Sequence, residues 1–210
     1  MAIKPILFNT EMVRAILDGR KTCTRRVIEL PENMDGVPVG KSGDSNNPLG
    51  FMHPGGIKRP PYQPGDILYV RETWCELPVN EAGHMRGHPV YYYRADGDMR
   101  PEEWRGKWSP STHMPKEAAR IWLKVTDVRV ERLQEITDEQ AKREGIQYDE
   151  CPTGFTWKQE TDMHNCYTTP IGAMQALWNS TIRKSDIDRY GWDANPWVWV
   201  IEFERCEKPA

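Results

Sequence analysis

Apolar residues recur along this chain with two different periods, and the switches between them mark out its elements. Met12, Val13, Ile16 and Leu17 fall on one face at helical spacing. Asn9 or Thr10 stands where an N-cap accepts from the first free amides, and Gly19 stands where a left-handed residue ends a helix. Pro64-Gly65 is a turn signal. The stretch from Ile67 to Trp74 that follows is β-prone and apolar on both faces, with Leu68 and Val70 on one and Ile67 and Tyr69 on the other. A strand of that kind belongs in a barrel wall or beneath a covering helix.

Further on, Ile121, Leu123 and Val125 alternate at odd positions, whereas Val128 and Val130 alternate at even ones. The change of parity at Thr126-Asp127 predicts a bulge, the device that curls a small sheet. Thr137-Asp138-Glu139-Gln140 spells a capping box and opens a helix that runs to Gly145. Ile171, Met174, Leu177 and Trp178 mark an amphipathic helix, expected to close one opening of a barrel. In the last stretch Trp197, Trp199, Ile201 and Phe203 share one face and Val198, Val200, Glu202 and Glu204 the other, which predicts a terminal strand with an aromatic core face.

Three segments, about 31–64, 75–119 and 149–170, show no sustained periodicity and read as long loop insertions. The second surrounds a short strand at Val90–Tyr93 and carries Trp104 and Trp108, which either stack on bases or pin the loop to the body. A chain of 210 residues suits one domain, 1–210, carrying such insertions.

Composition narrows the function classes. With 38% hydrophobic and 28% charged residues and nine Trp, the chain can bury a core as a soluble globular protein. A net charge of −3 argues against a surface that binds nucleic acid all over, so any such contact is a local patch. No apolar run reaches a membrane span and Met1 to Phe8 is broken by Lys4 and Pro5, so the expected location is the cytoplasm, without membrane contact. Five scattered cysteines with no CxxC pair fit reduced thiols, and Cys23 reads as a packing residue before it reads as a nucleophile. His84 and His88 are four apart, but Gly87 and Pro89 argue against a continuous helix there, and Cys151, His164 and Cys166 lack the paired spacing of a zinc site; neither a metal nor another cofactor is expected.

The local patch is Gly19-Arg20-Lys21-Thr22-Cys23-Thr24-Arg25-Arg26. With Arg14 it puts five cations within thirteen residues, offset only by Asp18. Arg20 and Lys21 gain from the negative end of the preceding helix. A cluster this dense nevertheless repels itself unless a carboxylate, a phosphate or another anion sits among it.

The spacing Gly19-x-Lys21-x-x-Thr24-x-Arg26 resembles the signature of the ASCH domain, a small β-barrel of the PUA-like superfamily. Gly65-Asp66 with Ile67–Glu72, the stretch Arg120–Leu133 with the helix ending at Glu144-Gly145, and Asn195–Ile201 follow in the order seen in longer, often phage-encoded members. The resemblance implies an α+β, mainly β fold: a PUA-like barrel with a few short helices, its wall made by the segment after Gly19 and by residues 66–74, 120–131 and 197–204. Small bacterial members are amidohydrolases that remove the acetyl group from the exocyclic amine of N-acetylcytidine. Carried over residue by residue, their active groups are Lys21, Thr24 and Glu144, the last resting on Thr137-x-x-x-Ala141-x-x-Glu144.

Amide hydrolysis needs a nucleophile, a base, a donor for the leaving amine and positive charge near the oxyanion. On this reading Thr24 attacks, Lys21 is base or oxyanion stabiliser, Glu144 passes a proton, Arg26 holds the substrate or Glu144, and Arg20 and Arg25 hold substrate. The expected partner is a modified nucleoside or RNA. In a regular strand Lys21 and Thr24 point to opposite faces, so the segment must turn or bulge if both are to reach one pocket. Two alternatives use the same cations: a non-catalytic RNA-binding or regulatory module, and a nuclease acting on single-stranded RNA. Glu144, in the last turn of its helix, is opposed by the helix dipole, so Glu144→Gln is expected to cost turnover but little stability.

Overall fold

A computed structural model describes the chain except residues 32–33, 45–46, 48, 78–89, 101, 103–105, 150–153, 159–165 and 210, and the side chains of Leu77 and Asp149. His84, His88, Trp104, Cys151 and His164, weighed above, lie outside the described residues. The chain opens with β1 (Ile3–Leu7), α1 (Thr10–Leu17), β2 (Cys23–Val27), β3 (Val37–Val39), β4 (Gly50–His53) and β5 (Gly56–Lys58). There follow β6 (Ile67–Arg71), β7 (Trp74–Leu77), β8 (Val90–Tyr93), β9 (Trp122–Arg132) and α2 (Asp138–Arg143). β10 (Gln147–Asp149), β11 (Gly154–Thr156), α3 (Pro170–Thr181), α4 (Ile187–Tyr190) and β12 (Trp197–Cys206) complete it. Strands outweigh helices, and the class is α+β, as expected.

Five strands form the main sheet in the order β1-β6-β9-β12-β2, parallel between β1 and β6 and antiparallel elsewhere. All four segments expected in a wall contribute to it, and β12 lies within it rather than at an edge. Both faces of β12 are covered: Val198, Trp199, Val200 and Ile201 are all buried, so the valines expected on the less apolar face are core as well. The expected bulge is present. Glu202 pairs with Asp127 and Phe203 with Val125, leaving Thr126 as the extra residue on β9.

Among the described residues the pairing does not close into a barrel. The sheet is open, with β1 and β2 as its two edges in hydrogen-bonding order. A side chain reaches from one edge to the other where a backbone ladder would close a barrel: Arg26 on β2 donates through Nη2 to the Leu7 carbonyl at the end of β1, at 2.9 Å.

The three supposed loops also hold structure. Residues 31–64 contain the antiparallel sheet β3-β4-β5, which drives Phe51 into the main core against Trp197, ring centroids 5.4 Å apart. The segment 75–119 contains the β7-β8 hairpin and 149–170 contains β11, the partner of β10. Strands of three or four residues are too short for alternation to show in sequence. The run expected at 67–74 is split: Glu72 turns its carboxylate into the protein to take both arms of Arg120, at 2.9 and 3.1 Å, and β7 leaves for its own hairpin. Trp108 lies against Arg100 of the same segment, 4.0 Å from guanidinium carbon to ring centroid.

α1 packs Met12, Val13 and Ile16 into the same core as Met174, Leu177 and Trp178 of α3. Its start is set by Asn9, whose side chain accepts from the Met12 amide at 2.9 Å, an interaction typically worth about 1 kcal/mol. Gly19 ends it with φ +75°, as its position predicted.

Candidate functional site

Two backbone turns bring the site together. After Gly19 the chain first pairs with the end of α2: Lys21 and Glu144 form an isolated antiparallel bridge, and the Thr22 amide donates to the Arg143 carbonyl. At Cys23 it changes partner and joins β12, with Thr24 opposite Ile201. Lys21 therefore precedes the strand that carries Thr24. This change of partner is how both residues reach one cleft despite their spacing.

Gly145 permits the approach. Its φ is +106°, and a Cβ there would lie 2.9 Å from the Ala15 Cβ of α1 and 3.6 Å from the Lys21 Cβ. Any side chain would push α1 off the bridge.

The cleft, about 60 Å³, is floored by Lys21, Thr24, Arg25, Arg26 and Glu144 and walled by Phe8, Met12, Met174, Leu177, Trp178 and Thr181. The helix marked by Ile171, Met174, Leu177 and Trp178 is α3, which walls the cleft where it was expected to close a barrel opening.

Lys21, 3% exposed, donates to the Cys23 carbonyl at 2.8 Å, the Glu144 carbonyl at 3.0 Å and Glu144 Oε2 at 2.6 Å. Three acceptors thus converge on Nζ. The other Glu144 oxygen accepts from Arg25 Nη1 at 3.1 Å. Burial alone would raise the pKa of Glu144, but the charges of Lys21 and Arg25 and their hydrogen bonds outweigh it and hold the carboxylate below its ordinary value. The anion that the basic cluster required is thus Glu144.

Arg25 is fully buried. Besides Glu144 it binds Glu131 Oε2 and Gln140 Oε1, both at 3.1 Å through Nη2. The ion pairs continue outward: Glu131 to Arg129, Arg129 to Glu202 at 2.6 Å, Glu202 to Arg143 at 2.7 Å. Arg143 returns to Thr22 Oγ1 at 3.3 Å, beside Lys21. This chain of pairs sets opposite charges against the several kcal/mol that each buried ion loses in desolvation.

Arg26 is placed differently. It donates to Thr24 Oγ1 at 3.1 Å and to the Arg25 and Leu7 carbonyls, and its guanidinium lies over Phe8 at 5.3 Å. Among the described residues no carboxylate pairs with it. Burial lowers its pKa from the ordinary value, with Glu144 and Tyr62 acting against that shift.

Of the expected site residues, Lys21, Thr24, Glu144, Arg25 and Arg26 come together. Arg20 does not join them: it donates to the Gly145 carbonyl at 2.8 Å and to Asp18 at 2.9 Å, on the far side of the bridge. Arg25 faces Glu144 rather than open space, and Arg26 takes the role of free cation. Cys23 is buried, its thiol pushed up to about 12 by burial and by Glu144, against Lys21 and Arg25, as expected of a packing residue rather than a nucleophile. Glu131 escaped the sequence reading because nothing separates it from other charged strand residues. Gln140 had already been singled out, but only as a cap.

No family model matches this chain, and neither does any curated protein or solved structure. Among the described residues no helix is long and apolar enough to cross a membrane.

Proposed function

We propose that the cleft is the active site of a metal-independent amidohydrolase, of ASCH/PUA-like type, that removes an acyl group from the exocyclic amine of a cytidine-type nucleoside. The observation that carries this reading is the hydroxyl of Thr24 held by Arg26, a cation with no carboxylate partner among the described residues, beside the buried Lys21–Glu144–Arg25 set. A hydroxyl oxygen that accepts from a guanidinium keeps its own proton free to be given away, and is the easier to ionise for it.

In the reaction, Thr24 Oγ1 forms a bond to the acyl carbonyl carbon while Arg26 offsets the charge on the carbonyl oxygen. The bond from carbon to the exocyclic nitrogen then breaks. The proton lost by Thr24 reaches that nitrogen through the Lys21–Glu144 pair, with Glu144 as acceptor and Lys21, which donates to it at 2.6 Å, as donor. Water then releases the acyl group from Thr24 as a carboxylic acid.

The test is incubation with a panel of acylated nucleosides and a single-stranded RNA, with products identified by mass. The reading expects the free nucleoside and its acid, undiminished by EDTA. Loss of activity in EDTA restored by zinc, or cleavage of the RNA with no deacylation, would replace it.

A further inference from the structure

Behind the Lys21–Glu144 bridge lies a second and wider concavity. Successive residues of a bridged segment point to opposite sides. Lys21 and Glu144 face the cleft, and their neighbours Arg20 and Arg143 face the other way, onto a groove of about 550 Å³. Lys142 adds a third cation, and no acidic side chain among the described residues lines the groove. Asp18 and Glu202, which pair with Arg20 and Arg143, lie outside the lining, and Lys142 has no carboxylate partner among the described residues.

The opposite wall is aromatic. Tyr148 on β10 and Phe155 on β11 are directly opposed in the hairpin register and meet edge to face, centroids 5.3 Å apart. Tyr148 is 59% exposed, which is unusual for a large ring held so firmly. The pair is preorganised: Phe155 exchanges both backbone hydrogen bonds with Tyr167, and Arg20 is tied to the Gly145 carbonyl across the groove. Lys142 sits over the Phe155 ring at 6.0 Å.

We propose that this groove binds single-stranded nucleic acid, with backbone phosphates on Arg20, Lys142 and Arg143 and a base stacked on Tyr148. A groove lined by three cations and, among the described residues, by no acidic side chain selects an anion, and an exposed ring beside them selects one that carries flat groups at regular intervals. An acidic peptide would use the cations and leave the ring idle. The site stands independently of the chemistry in the cleft, since it is formed by different side chains on the opposite side of the bridge.

The test is fluorescence anisotropy with a short labelled single-stranded oligonucleotide over a salt series, using the whole chain. Lys142→Glu and Tyr148→Ala, both exposed positions, should each weaken binding by roughly tenfold, and Lys142→Glu should also make the salt dependence shallower. Thr24→Ala should bind as wild type does. Absence of binding, or affinity unchanged in both groove variants, overturns the proposal. So does loss of binding in Thr24→Ala, which would put the strand in the cleft, or equal binding of a poly-glutamate peptide that Tyr148→Ala leaves intact.

Discussion

Lys21 and Glu144 meet twice, once through their backbones as an antiparallel bridge and once through their side chains, Nζ to Oε2, at 2.6 Å. The two contacts constrain each other: the bridge fixes the separation of the Cα atoms, and the ion pair then needs no search over register. A residue 123 positions away in the chain is held as rigidly as a neighbour.

This relationship reverses what the helix dipole alone suggests for Glu144. The carboxylate compensates two buried cations, so Glu144→Gln should lower unfolding stability by about 3–5 kcal/mol, the usual cost of leaving a buried charge unmatched. Turnover should fall by roughly 10²–10⁴-fold in the fraction that remains folded. Urea denaturation checks the first figure; a stability within a few tenths of a kcal/mol of wild type would refute it.

The pH dependence follows from the depressed pKa of Glu144. A carboxylate whose folded pKa lies below its unfolded value of 4.5 contributes stability that is fully present above about pH 4.5 and is lost as pH falls through the folded pKa. The difference in stability between wild type and Glu144→Gln should therefore be constant near neutrality and shrink below pH 4.5. Denaturation curves over a pH series read this directly; a difference that grows on acidification would contradict it.

Cys23 should resist alkylation in the folded protein. Its thiol is buried and stays protonated at neutral pH, whereas Cys75, Cys166 and Cys206 are partly accessible. Peptide mass mapping after native treatment with iodoacetamide should find Cys23 unmodified, and Cys23→Ala should retain turnover. Rapid labelling of Cys23 would show the cleft to be more open than described.

Gln140 couples a helix cap to the site, because its Oε1 accepts both from the Thr137 amide, at 3.0 Å, and from Arg25, at 3.1 Å. Thr137→Ala removes the cap alone and should cost about 1 kcal/mol. Gln140→Ala also takes an acceptor from a buried guanidinium and should cost more, roughly 2–3 kcal/mol in all. Equal losses in the two variants would show that Arg25 does not depend on Gln140.

Legibility in the sequence tracked length and periodicity. The β9 bulge, the capping box, α1 with its terminal Gly19 and the long β12 strand were all readable, because each rests on a local pattern over several residues. The β3-β4-β5 sheet and the β10-β11 hairpin were not, since three residues carry no period. At the site, Lys21, Thr24 and Glu144 were identified through the motif. The division of labour between Arg25 and Arg26 was not readable: two adjacent arginines look alike until one is seen on Glu144 and the other on Thr24. A barrel was expected from the resemblance, but which strands form the edges depends on pairings distant in sequence, here the order β1-β6-β9-β12-β2.

The central claim, that Thr24 is a nucleophile, is tested most directly by acid-quenching a reaction with an acylated cytidine carrying an isotopically labelled acyl group and mapping the label on the protein. The account predicts a labelled acyl adduct on the peptide containing Thr24, present in wild type and absent in Thr24→Ala, with turnover lost in that variant. Turnover that persists in Thr24→Ala, with no adduct on that peptide in either protein, would contradict it.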